Sequence, residues 1–380
     1  MKYLVILILF NSCTLIGQKV STVTIVVKSN SAVTIDSIFI TGNVSEFGIW
    51  NPAAVPLTKV SDTVWTKSFD FKKGELLEFK FTRGSWQTEA LNENNMVPDN
   101  HTLKVSTDTT LIFDVYQWQD QLEVGDKPIF EGQITGQVFY HKNFVFEGIE
   151  PRDIIVWVPP GYNELNSERY PVLYMHDGQN IFDPKTSAFG IDWQVDETAT
   201  EFILEDQIEP LIIVGIYNTI NRSSEYNESD LGKIYCEFIT NQLKPFIDKN
   251  YKTKPGRDNT FTGGSSAGGL ISFILLWENP DVFSGAICIS PAFKINEIDY
   301  VNNVEEFSGD KKPIRIYIDN GGVGLEEKLQ PGIDEMAITL MNKGFILEED
   351  LFVYYYKTAK HSEKYWAERF WKPLKIFLGK

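Results

Sequence analysis

The stretch that decides the fold is FTGGSSAGGLIS, residues 261–272, in which two adjacent serines lie between two pairs of glycines. A phosphate-binding Walker loop needs Lys and then Ser or Thr after its last glycine, but Gly269 is followed by two apolar residues. A dinucleotide-binding fingerprint fails as well, because it needs a glycine where Ser266 stands. The pattern Gly-x-Ser-x-Gly remains, and it fits when centred on Ser266 but not when centred on Ser265.

The sequence on either side of Ser266 is typical of a nucleophile elbow. The β-type run NTFTGG precedes it, and the apolar helical pattern AGGLISFILLW follows. A sharp strand-to-helix turn holds the serine in a strained backbone conformation, and small neighbours avoid steric clashes there. The helix N-terminus offers free amides and a positive dipole end to a developing oxyanion. We therefore predict that Ser266 is the nucleophile and that Ser265 shapes the turn.

The nucleophile needs a base and an acid to complete a triad. His361 is the only histidine after Ser266, and it follows the strand DLFVYYY and precedes the last helix, where an α/β-hydrolase keeps its base. The acid is expected after the strand PIRIYI, where Glu326, Asp319 and Glu327 are candidates in that order. Glu326 can fold back towards the histidine, whereas Asp319 could instead accept backbone amides in a turn.

The chain of 380 residues consists of two regions with different sequence patterns. Residues 20–118 consist of short β-type runs, such as STVTIVVK and LLEFKF, which indicate a small β-sandwich. After a linker at 119–135, residues 136–380 alternate nearly continuous apolar strands with helical patterns. The predicted fold class is therefore α/β, with an α/β-hydrolase domain preceded by a small all-β sandwich domain.

The N-terminal sequence predicts where the protein is located, and the net charge and cysteine pattern limit its partners and cofactors. MKYLVILILF has one lysine before an apolar run, which predicts a signal peptide over residues 1–19. The protein is therefore expected to be periplasmic or secreted. An alternative is that a lipid attached to Cys13 anchors it. A mature chain without this leader is expected to contain no membrane-spanning segment. The net charge of -17 argues against a nucleic-acid partner. No Cys/His cluster has zinc spacing, and neither a metal nor an organic cofactor is expected.

From about residue 136 onward, the chain resembles the esterase D-like family of α/β-hydrolases. The resemblance rests on the blocks YPVLYMHDGQNIFD, IIVGIYNTINRSSEY, GGSSAGGLIS and KHSEKYWAERF. The family includes feruloyl and acetyl-xylan esterases, enterochelin-type esterases and mycolyltransferases. By position, the resemblance implies that Ser266 is the nucleophile and His361 the base, and that the amides of Ala267 and Gln179 form the oxyanion hole.

The same resemblance suggests which side chains line the substrate mouth. Asp177 lies beside the oxyanion loop, and Arg222, Glu225 and Tyr226 lie in the polar segment NTINRSSEY. The alternative is a simple turn at Asp177 and a solvated loop for the other three. The triad acid departs from the family's Gly-Thr-x-Glu or Gly-x-x-Asp turn, because the segment DNGGVGLEE is longer, so its identity stays open.

Residues 20–118 resemble a starch-binding domain in the segments FITGNVSEFGIWNPAAVPL, LLEFKF and WQTEALNENN. The matched positions are Trp50, Lys80 and Trp86. An exposed indole can stack on a pyranose face, and a lysine can hydrogen-bond to sugar hydroxyls. The alternatives are that Trp50 packs under its turn and that the domain is a structural appendage.

These observations together predict an exported serine esterase that acts through an acyl-Ser266 intermediate. Its substrate would be a small-molecule or glycan-linked ester, such as an acyl group on a carbohydrate, with polysaccharide bound through the N-terminal domain. One alternative is an acyltransferase that uses the same triad to acylate a sugar hydroxyl. The other is a non-catalytic, glycan-binding surface protein.

Overall fold

The computed structural model describes residues 20–29, 35, 37–93, 97–98, 100–121, 133–165, 167–188 and 190–380. The chain divides into two compact units, one from residues 1–84 and 99–117 and the other from 85–98 and 118–380. This division is close to the boundary predicted at residue 118, but the segment 85–98 groups with the second unit. The predicted leader with Cys13, and residues 122–132 of the predicted linker, lie outside the described residues.

The first unit contains two four-stranded sheets, as expected for a β-sandwich. Their strand orders are β4-β5-β1-β9 and β3-β2-β6-β8. Only the neighbours β1 and β9 are parallel within these two sheets. The first ten strands are β1 (Val20–Ser29), β2 (Phe39–Gly42), β3 (Val55–Pro56), β4 (Thr58–Ser61), β5 (Val64–Lys72), β6 (Leu76–Thr82), β7 (Ala90–Leu91), β8 (His101–Lys104), β9 (Thr109–Val115) and β10 (Gln117–Trp118).

Alternating side chains and aromatic rings form the core of the first unit. In β1, Val23, Ile25 and Val27 are fully buried, and the residues between them are half-buried. The ring of Phe47 meets the ring of Phe69 edge-on, with the centroids 5.0 Å apart. The alternation with period two, which identified these strands in the sequence, therefore places their apolar faces against one aromatic core.

An eight-stranded mixed sheet organises the second unit. Its strand order is β11-β12-β14-β13-β15-β16-β19-β20. The β11–β12 and β12–β14 pairs are antiparallel and the later pairs are parallel. Its strands and one small hairpin are β11 (Gln137–Phe146), β12 (Ile149–Val158), β13 (Val172–His176), β14 (Ile212–Ile216), β15 (Thr260–Ser265), β16 (Gly285–Ile289), β17 (Lys294–Ile295), β18 (Ile298–Asp299), β19 (Arg315–Val323) and β20 (Leu351–Lys360).

Helices cover both faces of this sheet and bury strand residues on each side. In β12, Ile154 and Val156 join the core on one face, and Ile155 and Trp157 join the core on the other. The helices are α1 (Val195–Leu204), α2 (Arg222–Glu225), α3 (Asp230–Phe238), α4 (Lys244–Asn250), α5 (Ala267–Glu278), α6 (Tyr300–Glu306), α7 (Leu325–Asn342) and α8 (Glu363–Leu378). Among the described residues, no helix has the length and apolar character needed to cross a membrane. The predicted arrangement, a β-sandwich domain followed by an α/β-hydrolase domain, is confirmed.

Candidate active site

Ser266 occupies the sharp turn between β15 and α5. Its backbone has φ 56° and ψ -125°, a left-handed φ that strains any residue with a side chain. The Ser266 amide donates a hydrogen bond to the carbonyl oxygen of Ile289, at 3.0 Å, which fixes the turn to the neighbouring strand. A Cβ added at Gly264 would lie 2.8 Å from the carbonyl oxygen of Gly268, so the turn closes only with glycine there. The first glycine of the Gly-x-Ser-x-Gly motif is therefore required because a larger residue would clash with the backbone.

The two adjacent serines differ in exposure. Ser265 ends β15 and is buried, whereas Ser266 is half-buried and lies at the carboxyl edge of the sheet. Ala267 is the first residue of α5, and its amide has no acceptor within the helix because the first four amides of an α-helix lack one. A backbone donor therefore lies directly beside the hydroxyl-bearing residue, as an oxyanion hole requires.

His361 and Glu326 form a hydrogen-bonded pair. His361 follows β20, and its Nδ1 lies 3.0 Å from Oε2 of Glu326, which stands in the first turn of α7. The His361 side chain is 16% exposed and the Glu326 side chain 0%. Between Ser266 Oγ and His361 the described residues show no hydrogen bond, and this contact is often long in an unliganded enzyme.

The surroundings of Glu326 favour its ionised form. Its Oε1 accepts a hydrogen bond from Ser290 Oγ at 2.7 Å, and Nη2 of Arg369 lies 3.7 Å away. Burial alone would raise the pKa of Glu326, but His361, Ser290 and Arg369 together lower it below its ordinary value. A carboxylate held in this way can fix one tautomer of His361 and stabilise its imidazolium form.

Asp319, the second candidate for the acid, has a different place. It is buried in β19, where Oδ1 accepts from Nε of Arg369 at 3.0 Å and Oδ2 accepts from the Tyr317 hydroxyl at 2.8 Å. Burial raises the pKa of Asp319 to about 6, against the opposing effect of Arg369 and Tyr317. Asp319 therefore contacts Arg369 rather than His361. Glu327, the third candidate, is exposed.

Gln179 lies in a short turn that two other segments hold in place. The turn is a 3-10 helix over Gly178–Asn180, directly after β13. The side-chain Oε1 of Gln179 accepts from the amide of Asn218 at 3.2 Å, and its carbonyl oxygen accepts from Thr186 Oγ1 at 2.7 Å. A Cβ at Gly178 would lie 2.4 Å from the carbonyl carbon of Gly215, so this turn lies directly against β14.

Asp177 and Arg222 connect the Gln179 turn with the elbow. Nε and Nη2 of Arg222 each donate to one carboxylate oxygen of Asp177, both at 2.7 Å. Burial alone would raise the pKa of Asp177, but Arg222 and Asn218 lower it. A Cβ at Gly268 would lie 3.2 Å from Oδ2 of Asp177, which shows how closely the carboxylate approaches α5. The Arg222 side chain is 21% exposed, so it can still reach a bound molecule.

Glu225 and Tyr226, by contrast, are fully buried, and the prediction that they contact substrate is corrected. Glu225 accepts two hydrogen bonds from the buried Arg152, at 2.9 and 2.6 Å. The Tyr226 hydroxyl accepts from the amide of Asp177 at 3.3 Å, and its ring lies under the Arg222 guanidinium. Both side chains therefore stabilise the loop that carries Arg222 through buried contacts.

Sequence reasoning missed the residues that support His361 and Glu326. Ser290 Oγ accepts from Nη2 of Arg369 at 2.8 Å and from Nε1 of Trp366 at 3.2 Å. The ring of Trp366 also meets the His361 ring edge-on, with centroids 5.0 Å apart. A usable signal was present, because Ser290 directly follows a buried parallel strand, as Ser266 does, and such strand ends meet at one edge of a sheet.

The three carbohydrate candidates do not fall in one compact unit. Trp50 and Lys80 belong to the first unit and Trp86 to the second. Trp50 is half-buried and has φ 58°, and Lys80 is buried in the β2–β6 ladder. Trp86 is half-buried and begins a 3-10 helix over Trp86–Thr88. Their role in binding a sugar stays a prediction.

Comparison with known proteins agrees with this architecture. The family model described as "Putative esterase" matches residues 150–376, and the starch-binding domain model matches residues 20–111. The ferri-bacillibactin esterase BesA of Bacillus subtilis is 26% identical over 208 residues, covering 47% of this chain and 68% of that protein. An endo-1,4-beta-xylanase/feruloyl esterase of Xylanibacter ruminicola is 27% identical over 135 residues, covering 34% of this chain and 18% of that protein.

A solved structure shows the same fold at low identity. The enterobactin esterase of Shigella flexneri superimposes with a TM-score of 0.53 at 13% identity, covering 93% of this chain and 92% of that chain. The esterase model spans the elbow, the Gln179 turn and the His361–Glu326 pair. The chain therefore belongs to the esterase family named by that model, and is a carboxylic ester hydrolase with an N-terminal starch-binding domain.

Proposed function

We propose that the protein is an exported serine esterase that hydrolyses an acyl ester of a carbohydrate or a related small molecule through an acyl-Ser266 intermediate. The observation that carries the proposal is the half-buried Ser266 on its strained elbow, at the same sheet edge as the His361–Glu326 pair. Export is supported by the apolar leader after Lys2.

The reaction follows from these positions. Nε2 of His361 takes the proton of Ser266 Oγ while Oγ attacks the ester carbonyl carbon, and the amides of Ala267 and Gln179 hold the oxyanion. The imidazolium then gives this proton to the leaving alcohol oxygen as the carbon–oxygen bond breaks. Water attacks the acyl-enzyme and loses its proton to His361, which returns it to Ser266 Oγ as the carboxylic acid leaves. Glu326 stabilises the imidazolium in both halves.

Three findings bear on the substrate class. Two of the relatives that match in sequence are named an endo-1,4-beta-xylanase/feruloyl esterase and a ferri-bacillibactin esterase, which favours an ester of an aromatic or hydroxylated acid. The starch-binding domain favours a polysaccharide or an ester attached to one. The partly exposed guanidinium of Arg222 lies beside the Gln179 turn, where it can donate hydrogen bonds to a polar substrate group.

Ester turnover by matched serine variants tests the proposal. With p-nitrophenyl acetate, Ser266→Ala is expected to abolish turnover, whereas the neighbouring buried Ser265→Ala retains a measurable fraction. A fluorophosphonate should label the peptide that contains Ser266, and labelling should require His361. Undiminished turnover in Ser266→Ala, or an adduct on another peptide, would contradict the assignment. A panel of feruloyl, acetyl-glycan and siderophore esters then ranks the substrates by kcat/KM.

A further inference from the structure

Three carboxylates converge away from the elbow, around the N-terminus of α1. One oxygen from each of Asp192, Asp196 and Glu197 lies within 4.8 Å of the others. Asp192 and Asp196 are buried, at 4% and 0% exposure, and Glu197 is half-buried. Asp196 and Glu197 stand in the first turn of the ten-residue helix α1, and Asp192 lies in the loop before it, three residues ahead of Val195.

Hydrogen bonds within the protein reach only some of the oxygen atoms of these three carboxylates. Oδ2 of Asp196 accepts from the amide of Thr135 at 2.5 Å, and Oε1 of Glu197 accepts from Thr135 Oγ1 at 3.3 Å. Oδ2 of Asp192 accepts from the amide of Gln194 at 3.0 Å. Oδ1 of Asp196 and Oε2 of Glu197 are buried, and neither has a hydrogen-bond partner among the described residues. Asp196 is fully buried and therefore keeps one carboxylate oxygen without a hydrogen-bond partner among the described residues.

No basic side chain balances these charges within the described part of the chain. The described ion pairs include none of the three carboxylates. Burying adjacent carboxylates without a counter-charge is costly, so the group must either take up protons or hold a cation.

We propose that Asp192, Asp196 and Glu197 bind a divalent cation, and that the cation is Ca²⁺. The donors are all hard oxygen atoms, which suit Ca²⁺ and exclude the nitrogen and sulfur ligands that zinc prefers. Their mutual spacing fits a central ion with ligands at about 2.3–2.6 Å. Ca²⁺ also tolerates irregular ligand geometry, and Thr135 Oγ1 adds a neutral oxygen beside Glu197.

The position of the cluster suggests what the ion would do. It would join Thr135, which precedes β11, to the loop ahead of α1 and to α1 itself. Trp193, directly after Asp192, donates its amide to the carbonyl oxygen of Asn180, at 3.0 Å, next to the Gln179 turn. The Trp193 ring packs on the ring of Trp366, with the centroids 5.3 Å apart. A bound ion would therefore rigidify the segment that carries the oxyanion donor.

Direct binding to the full-length protein tests the proposal without relying on catalysis. After treatment with EDTA and gel filtration, isothermal titration with Ca²⁺ should show one site per chain, with weaker binding of Mg²⁺. Tb³⁺ should show luminescence on tryptophan excitation, because the Trp157 indole donates to the carbonyl oxygen of Thr135 at 2.7 Å. Ca²⁺ should displace the Tb³⁺ signal and raise the unfolding midpoint by several degrees.

Charge-removing variants at the cluster should separate the site from general acidity. Asp196→Asn and Glu197→Gln should each weaken Ca²⁺ binding on the order of 100-fold, because ligand charge sets affinity at such sites. The matched control is Glu201→Gln, an exposed carboxylate on the same helix, which should bind Ca²⁺ as the wild type does. Two separate ligand variants keep the test usable if one fails to fold.

Two outcomes would overturn the proposal. One is wild-type protein that shows neither Ca²⁺ heat nor sensitised Tb³⁺ luminescence, which would mean that the carboxylates share protons instead. The other is binding that Glu201→Gln weakens as much as Asp196→Asn does, which would mean diffuse attraction to an acidic surface. Neither outcome depends on whether the protein hydrolyses esters.

Discussion

Replacing Glu326 by glutamine should remove most of the turnover while leaving the shape of the site unchanged. The reason lies in the hydrogen bonds of Ser290, whose Oγ accepts from both Arg369 and Trp366 and must therefore donate its own proton to Oε1 of Glu326. In Glu326→Gln the atom that faces Ser290 and Arg369 must then be the amide oxygen. The amide nitrogen consequently faces Nδ1 of His361 and donates to it.

This orientation selects the wrong tautomer of His361. When Nδ1 accepts a hydrogen bond, the ring proton sits on Nε2, and Nε2 can no longer take the proton of Ser266. The variant also loses the negative charge that stabilises the imidazolium. In the best-studied serine triad the corresponding change costs about 10⁴ in kcat, or about 5 kcal/mol of transition-state stabilisation. We expect a loss of that order in kcat, with KM within a few-fold of wild type.

Asp319→Asn is the matched comparison, because Asp319 is equally buried but does not contact His361. Its amide oxygen can still accept from Arg369, and Arg369 keeps Glu326 within reach at 3.7 Å. The loss of a buried charge beside a buried guanidinium should lower the free energy of unfolding by about 3 kcal/mol. The value of kcat should fall by no more than about tenfold, since the His361–Glu326 contact persists.

Steady-state kinetics with p-nitrophenyl acetate, together with denaturant unfolding followed by circular dichroism, separate the two variants. Near-normal kcat in Glu326→Gln, with collapse of kcat in a folded Asp319→Asn protein, would refute the reasoning and make Asp319 the acid. Equal losses in both folded variants would show that the two carboxylates act through Arg369 as one unit.

Three further outcomes follow from particular contacts. Gly268→Ala should lower kcat/KM about tenfold, because its Cβ would come within 3.2 Å of the fixed carboxylate of Asp177; unchanged kinetics would mean that the loop yields freely. Burial lowers the pKa of His101 to about 4, so the unfolded chain takes up a proton near pH 6.5 before the folded domain does. Stability should therefore fall by about 3 kcal/mol between pH 6.5 and 4, and His101→Phe should flatten that slope in equilibrium unfolding of the full chain. Trp86→Ala should weaken retention of the full chain on an α-glucan gel about fivefold while ester turnover is unchanged, and wild-type protein that passes without retardation would show that the domain is structural.

The fold could be predicted because its signals are local. Period-two alternation places Val23 and Ile25 on one face of β1, and a strand buried on both faces, such as β13, reads as a continuous apolar run. The segment 85–98 groups with the second unit in the structure, although the starch-binding domain model includes it. The sequence cannot decide between the two units, because β-type sequence is the same whichever core it joins. Only tertiary contacts decide that question.

In the candidate site, too, features with a local sequence signal could be predicted and features that depend on tertiary contacts could not. Ser266 and His361 could be proposed from a motif and from chain order, and Glu326, which the structure pairs with His361, could be ranked first from the length of its loop. Burial of Glu225 could not be anticipated, because the guanidinium that pairs with it is Arg152, at the start of a strand 73 residues earlier. A polar loop sequence looks the same whether its carboxylate faces water or a buried partner.

Two buried or partly buried guanidiniums hold opposite sides of this site. Arg369 binds Asp319 and Ser290 on the side of the base, and Arg222 binds Asp177 on the side of the oxyanion turn. Asp177 directly follows β13, and Asp319 lies within β19 opposite Ile289, the last residue of β16, so each arginine connects the sheet to a loop or helix. Charge-assisted, buried contacts of this kind leave little freedom to the groups that they orient. The Arg369 side chain is 3% exposed, so variants of Arg369 should lower kcat for all esters alike. The Arg222 side chain is 21% exposed and can also contact substrate, so variants of Arg222 should in addition change which ester is preferred.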